Sequence, residues 1–221
     1  MDDRTLLHIT SLSRTRQHPA TINRHTTAMF RFGILDESHR DEIVVFYLRL
    51  DEESRYQRFF GPISEHALRR HVQGLDFDRS SVIGVWGGAD LVGVAEAPMT
   101  QDSNGEPAAE LAIALTERAR GLGVGGTLFW YAMSAARERG AHHIDVITSH
   151  DNQPMQRMAL RAGLKGSRLN GDWHGEFALP EEASHLPSVH WMLGEEAAND
   201  PSNDPTNDRT NGPARARPRA A

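Results

Sequence analysis

Between Arg118 and Phe129 the chain reads RARGLGVGGTLF, with four glycines in the six residues from Gly121 to Gly126 and an apolar, helix-like run directly after them. Glycine tolerates positive φ and lets another group approach the backbone closely, and each one costs chain entropy on folding. Four so close together are more than a helix start requires. A bare loop opening a helix presents free N–H groups and the positive end of the helix dipole, which together suit a phosphate. Three phosphate loops compete: a Walker loop, a dinucleotide fingerprint, and the pyrophosphate loop of an acyl-CoA enzyme.

The Walker pattern needs a lysine and then Ser or Thr after its last glycine, because the lysine neutralises the β and γ phosphates. Here Gly126 is followed by Thr127 and Leu128. Gly121, Gly123 and Gly126 do match G-x-G-x-x-G, but that fold runs its strand straight into the first glycine and needs several further βα units. Five residues, TERAR, separate Leu115 from Gly121, and only roughly 70 residues remain before Glu195. The acyl-CoA loop is left as the reading that fits.

The surrounding pattern is that of one mixed α/β domain. TAMFRFGIL predicts a strand, and DESHRDEIVVFYLRL a helix capped by Asp36. DEESRYQRFFG and SEHALRRHVQGL predict two shorter helices parted by Gly61-Pro62. SSVIGVWGG and DLVGVAEAPMT form a hairpin around GGAD, and AAELAIALTE is a third strand. The glycines open a helix that stops at Gly140; HHIDVITSH is the next strand, NQPMQRMALRAG a helix capped by Asn152, and SVHWML the last strand. Residues 1–25 are polar and without period, so a flexible N-terminal segment is expected there. From Asn199 the chain repeats Asn at 199, 203, 207 and 211 with little to bury. The expected division is therefore a folded domain over 26–195 and a disordered, low-complexity tail over 196–221.

RGLGVG, Arg120 to Gly125, matches the R/Q-x-x-G-x-G/A loop of the GNAT superfamily of acyl-CoA-dependent N-acyltransferases, between a strand and a helix as in that family. DNQPMQRMALRAGLK resembles that family's next motif, in which Asn opens a helix that ends in Gly before an apolar residue. A narrower resemblance is to the acetyltransferase domain of bacterial protein lysine acetyltransferases. ESRYQRFFGPISE is similar to a segment of that domain, and AELAI to its fourth strand, which carries a catalytic glutamate at the position of Glu110.

The resemblance implies a GNAT fold: a mixed, mostly antiparallel sheet flanked by helices and splayed between its fourth and fifth strands. It implies acetyl-CoA as co-substrate, with the pyrophosphate held by N–H groups from Gly121, Leu122, Gly123, Val124, Gly125 and Gly126, by Thr127, and by charge from Arg120. Pantetheine would lie in the splay against the backbone of Leu115 and Thr116, with Asn152 near the thiol end and a main-chain N–H of strand four as oxyanion donor. Glu110 would be the general base for an amine acceptor, with a raised pKa if the sheet buries it. Many relatives reprotonate the CoA thiolate with a tyrosine; the matching position here is Ala159, as in protein-acetylating relatives. The acceptor implied is a protein lysine, with a small-molecule amine and a non-catalytic acyl-CoA sensor as the alternatives.

Composition narrows the field further. A net charge of −6 gives no pull toward nucleic acid or an anionic membrane, and no run approaches the ~18 apolar residues of a membrane span, so a cytoplasmic protein is expected. With no cysteine there is no thiolate nucleophile or thiolate metal site. His142, His143, His150, His174, His185 and His190 lack metal-site spacing, and no metal is expected. Phe59, Phe60, Trp130 and Tyr131 are read as core, and Trp173-His174 as a loop that could line the acceptor cleft. Lys165 is the only lysine in the chain. The oligomeric state stays open, a homodimer included.

Overall fold

SSVIGVWGG and DLVGVAEAPMT are apolar at consecutive positions, a pattern that only a strand covered on both faces can use. In the computed structural model, which describes residues 30–179, they are β2, Ser80–Gly87, and β3, Asp90–Gln101, at the heart of an eight-stranded sheet. They pair antiparallel, with Gly87 facing Asp90 across a tight turn in which Gly88 takes φ +69°. β1, Phe30–Ile34, flanks β2. The N-terminal segment 1–25, the tail 196–221 and the strand expected at SVHWML lie outside the described residues.

The two faces of β2 and β3 feed two separate cores. Val82, Trp86, Leu91 and Val94 pack with Ile43, Phe46 and Tyr47 of α1, Arg40–Arg49, and with Leu68 and Val72 of α3, Glu65–Gln73. α2, Glu52–Phe59, sits between those helices in sequence, capped by Asp51, which accepts from the Ser54 N–H at 2.8 Å. Ile83, Val85, Val92 and Ala95 pack on the other face against Leu128, Phe129 and Ala132 of α4, Val124–Glu138. Each fully buried Leu, Ile or Phe contributes about 1.5–3 kcal/mol, so the two cores supply most of the cohesion.

The predicted strand AAELAIALTE is two elements, β4, Pro107–Glu110, and β5, Ala112–Leu115. Both keep one register against β3, since Met99 faces Ala109 and Glu96 faces Ala112. The interruption falls where Pro98, which has no N–H to give, lies opposite Glu110. On its other edge β4 pairs parallel with β6, His143–Ser149, and the last bond runs from the Leu111 N–H to the Asp145 carbonyl at 2.7 Å. Past that bond the strands part. β5 pairs only with β3, while β6 continues beside β8. This is the expected splay, and its position follows from the end of β4.

After α5, Gln153–Arg161, the segment read as a loop is instead a hairpin of β7, Lys165–Leu169, and β8, Asp172–Ala178. Asn170 and Gly171 form its turn at φ +54° and +94°, the positive angles a tight hairpin requires. Trp173 is not a cleft residue: it is only 8% exposed, and Gly166 and Gly175 leave room for its ring.

A methyl group on Gly93 would overlap the side chains of Leu115 and Val85, the latter at 2.6 Å. Gly93→Ala should therefore push β5 off its register and lower the free energy of unfolding by about 1–3 kcal/mol in a denaturant titration. An unchanged midpoint would mean that β5 is not packed this way.

Candidate active site

The glycine loop lies at one end of the splay, and its four glycines have different reasons to be bare. Gly121 and Gly123 take φ +72° and +81°, with Gly123 as the N-cap of α4. Gly125 is bare because a methyl there would come within 2.9 Å of Met158 Sδ and 3.1 Å of Leu115. Gly126 has neither reason: its φ is ordinary and a methyl would meet nothing within 4 Å. No side chain caps this helix end, so first-turn amides with no intrahelical acceptor are presented beside open space. Val124 is buried, whereas Leu122 is 47% exposed on the outer turn. Thr127 Oγ1 donates to the Gly123 carbonyl at 3.3 Å and steadies the turn.

The edge of β5 shows which backbone groups face the splay. Thr116 donates its N–H to the Val92 carbonyl at 2.9 Å, and its own carbonyl accepts from Ala119 at 3.0 Å. In an antiparallel ladder the bonding direction alternates, so Ala112, Ala114 and Thr116 bond toward β3 while Ile113 and Leu115 turn to the gap. Of the two expected positions, Leu115 is therefore the one facing the splay, and Ile113 replaces Thr116 beside it. Arg120 is also engaged. Its guanidinium pairs with Asp51 Oδ2 at 2.5 Å, contacts Ser54, and reaches the Leu115 carbonyl at 3.3 Å, tying the loop to the start of α2.

Two cavities meet in the splay. One, of about 200 Å³, runs from Arg120 along Ile113 and Leu115 past Met158. The other, of about 230 Å³, is lined by Glu110, His71, Phe59 and Phe60. Arg58, Ile113, Asn152 and Met155 line both. Asn152 also caps α5, its Oδ1 accepting from the Met155 N–H at 3.2 Å, so the cap role and a place at the junction coexist. Phe60 departs from the core reading: it is 48% exposed at the end of α2, with φ +55°. Glu110 is exposed, and the sheet does not bury it. Glu110, Asp145 and Glu176 are paired in register across β4, β6 and β8. Partial burial, then the charges of Glu176 and, less strongly, Glu110, push the Asp145 carboxyl up. Among the described residues no group of three or more His, Asp or Glu is placed to hold a metal, and no helix is long and apolar enough to cross a membrane.

The sequence reading missed a polar cluster built on a buried carboxylate, which backs the second cavity. Glu96, in the middle of β3, is 3% exposed. Its carboxylate accepts from Arg58 Nη2 at 2.5 Å, from His71 Nε2 at 3.0 and 3.1 Å, and from the Tyr47 hydroxyl. Burial alone would push its carboxyl up, but the Arg58 charge and the His71 and Tyr47 bonds outweigh it and hold it at about 2. Glu96 also keeps Arg58 charged against the burial that opposes it, with Tyr47 and Glu110 adding smaller effects.

Because the folded carboxyl titrates below its ordinary 4.5, the stability Glu96 adds is complete above that pH and drains away as pH falls toward about 2. Its share should reach about 3 kcal/mol. In acid titrations of stability, Glu96→Gln should lose this part of the wild-type slope. The variant should also start lower at pH 7, because Arg58 is left without its counter-charge.

Residues 37–164 match the model of the Acetyltransferase (GNAT) family. Among solved structures, the chain is similar to the GNAT domain of S. lividans PAT, at 24% identity and a TM-score of 0.58, over 67% of this chain and 89% of that one. It is similar to RimL, the ribosomal L7/L12 alpha-N-protein acetyltransferase in complex with coenzyme A, at 18% identity and a TM-score of 0.53, over 70% and 96%. YncA from Salmonella typhimurium, with its cofactor acetyl-CoA, matches at 13% identity and a TM-score of 0.54, over 71% and 98%. No curated protein matches the sequence. At these identities the solved structures speak for the fold, while the family rests on the matched residues. A chain whose residues 37–164, more than half its length, match this family belongs to the GNAT acetyltransferases, enzymes that draw their acetyl group from acetyl-CoA.

Proposed function

We propose that the acetyl group passes directly from acetyl-CoA to the side-chain amine of a protein lysine, with Glu110 as general base. The observation that carries this is the second cavity, which is small and has an exposed carboxylate on its wall. A space of about 230 Å³ suits one aliphatic amine arm, with the rest of the acceptor left outside. The row of Glu110, Asp145 and Glu176 supplies a negative field at that face, which favours a cationic acceptor and speeds its approach.

Acetyl-CoA would enter along the first cavity. Its pyrophosphate would take the amides from Gly121 through Gly126 with Thr127 at the turn, and its pantetheine would lie along Ile113 and Leu115. Ile113 is the first residue past the parting whose N–H faces the gap, and it lines both cavities. Its N–H is the candidate donor to the thioester oxygen as negative charge develops there. Arg120, being paired with Asp51, would set the loop's position more than meet the phosphate itself. The amine nitrogen, once free of its extra proton, attacks the carbonyl carbon, and the C–S bond breaks with its electron pair on sulfur. Ala159, fully buried within α5, has no proton to give, so the thiolate is reprotonated from water. With no cysteine in the chain, a thioester acyl-enzyme is excluded and direct transfer suffices.

Glu110→Gln should bind acetyl-CoA as wild type does but release CoA with lysine-bearing peptides about 100-fold more slowly. Peptides with a free N-terminus and no lysine, and small amines, run beside them test the acceptor; a preference for small amines would overturn the protein-lysine assignment. Lys165, exposed on β7, is the only side-chain amine the enzyme itself contributes, so mass spectrometry can score self-acetylation separately.

Gly126→Ala separates the loop's binding role from its role in the fold. The added methyl meets nothing in the protein, so the melting temperature should hold or rise slightly, as alanine favours a helix over glycine by about 1 kcal/mol. Acetyl-CoA affinity should nonetheless fall by about tenfold, the worth of one charge-assisted contact. Unchanged affinity would mean that the phosphate lies elsewhere.

A further inference from the structure

The Glu96 carboxylate is buried beside the acceptor cavity, and the mechanism above leaves its cluster without a task. Three of its members are tied together: Glu96 is charge-balanced by Arg58, which also lines both cavities, and closed off by Tyr47. The fourth is different. His71, on α3, has a side chain 30% exposed, and it lines both the cavity that holds Glu110 and a second open cavity behind it, with Arg79 and Met99.

We infer that His71 is a second proton acceptor in the acceptor cavity, and that Glu96 is its positioning partner. The inference rests on the acceptor lying beside Glu110. Glu96 is ionised and can only accept, so Nε2 carries the hydrogen it bonds. In the neutral ring Nδ1 then bears the lone pair, and among the described residues it has no hydrogen-bond partner. The ring orientation is fixed on its other sides by edge contacts with Phe59 at 5.2 Å and Tyr47 at 6.0 Å. This is the arrangement by which a buried carboxylate holds an imidazole in one tautomer and stabilises the imidazolium when it forms.

The reaction has work for two bases. An alkylammonium sheds two protons on its way to an amide: one before attack, to expose the lone pair, and one from the tetrahedral intermediate as the C–S bond breaks. His71 Nδ1 takes the first and becomes an imidazolium against the Glu96 carboxylate. Glu110 takes the second, and the sulfur that leaves with the bonding pair is protonated from water. An imidazole is in general a stronger base than a carboxylate by about two pK units, so it is the better matched of the two to an ammonium. The charges facing His71 are Glu96 from β3, Arg58 from α2, Glu110 across one cavity, and Arg70, Asp76 and Arg79 around the other.

The test is His71→Gln, whose amide keeps a donor for Glu96 while removing the base. We expect an unchanged melting temperature and unchanged acetyl-CoA affinity, kcat with a lysine peptide lower by about 10- to 100-fold, and a pH–rate profile whose rise moves to higher pH. Free imidazole should restore part of the rate to His71→Ala, which opens the space and tests the role even if the Gln variant folds poorly. A wild-type pH profile in His71→Gln, or no rescue of a folded His71→Ala, overturns the inference. Glu110→Gln run in parallel separates the two failures. If it is slow while His71→Gln keeps the wild-type profile, only the second base is lost. If neither substitution slows transfer, the acceptor does not lie in this cavity and the inference falls with it.

Discussion

The proposed site depends on one missing ladder of hydrogen bonds, the one that would join β5 to β6 beyond Leu111. A parallel pair that parts inside a sheet exposes backbone amides that must find other partners. The fold keeps the breach open from several sides. Pro98 breaks the ladder at Glu110, the Gly125 backbone admits Met158 and Leu115 close against it, and Gln57 of α2 accepts from Ser149 of β6 at 2.7 Å across the opening. The turned-out edge at Ile113 and Leu115 offers a ligand with an extended amide-bearing arm the same bonds a strand would make.

The second organising element is a charge placed where charges are expensive. Glu96 draws Tyr47, Arg58 and His71 from three different helices onto one strand, so the helical layer is fixed against the sheet at the cavity wall. A buried ion pair of this kind gives little net stability compared with an apolar substitute, but it tolerates only one arrangement. Arg58 thereby sits at the junction of the two cavities, where its charge is fixed in place by Glu96.

The sequence made some of this legible and hid the rest for physical reasons. The glycine loop, the GGAD hairpin and the Asn152 cap are local devices, and each was readable from its own few residues. The β7–β8 hairpin, read as a loop, had a local signal in Asn170-Gly171, but its strands are short and β7 is exposed along its length, so no periodicity announced them. The role of Pro98 needed the register of β3 against β4, a long-range fact. Glu96 left one trace, a lone carboxylate inside the apolar run LVGVAEA. What it would bond was invisible, since its partners lie 25 to 49 residues away. That Ile113 and not Thr116 turns its N–H to the gap follows from the pleat, which side-chain patterns do not report.

The most direct test of the account is a crystal structure of the protein with coenzyme A. The account predicts the pyrophosphate on the amides between Gly121 and Gly126, pantetheine bonded along Ile113 and Leu115, and the sulfur at the junction of the two cavities, close to Arg58 and Asn152. A coenzyme lying outside the splay, or one whose pantetheine bonds toward Thr116 with β5 released from β3, would contradict it.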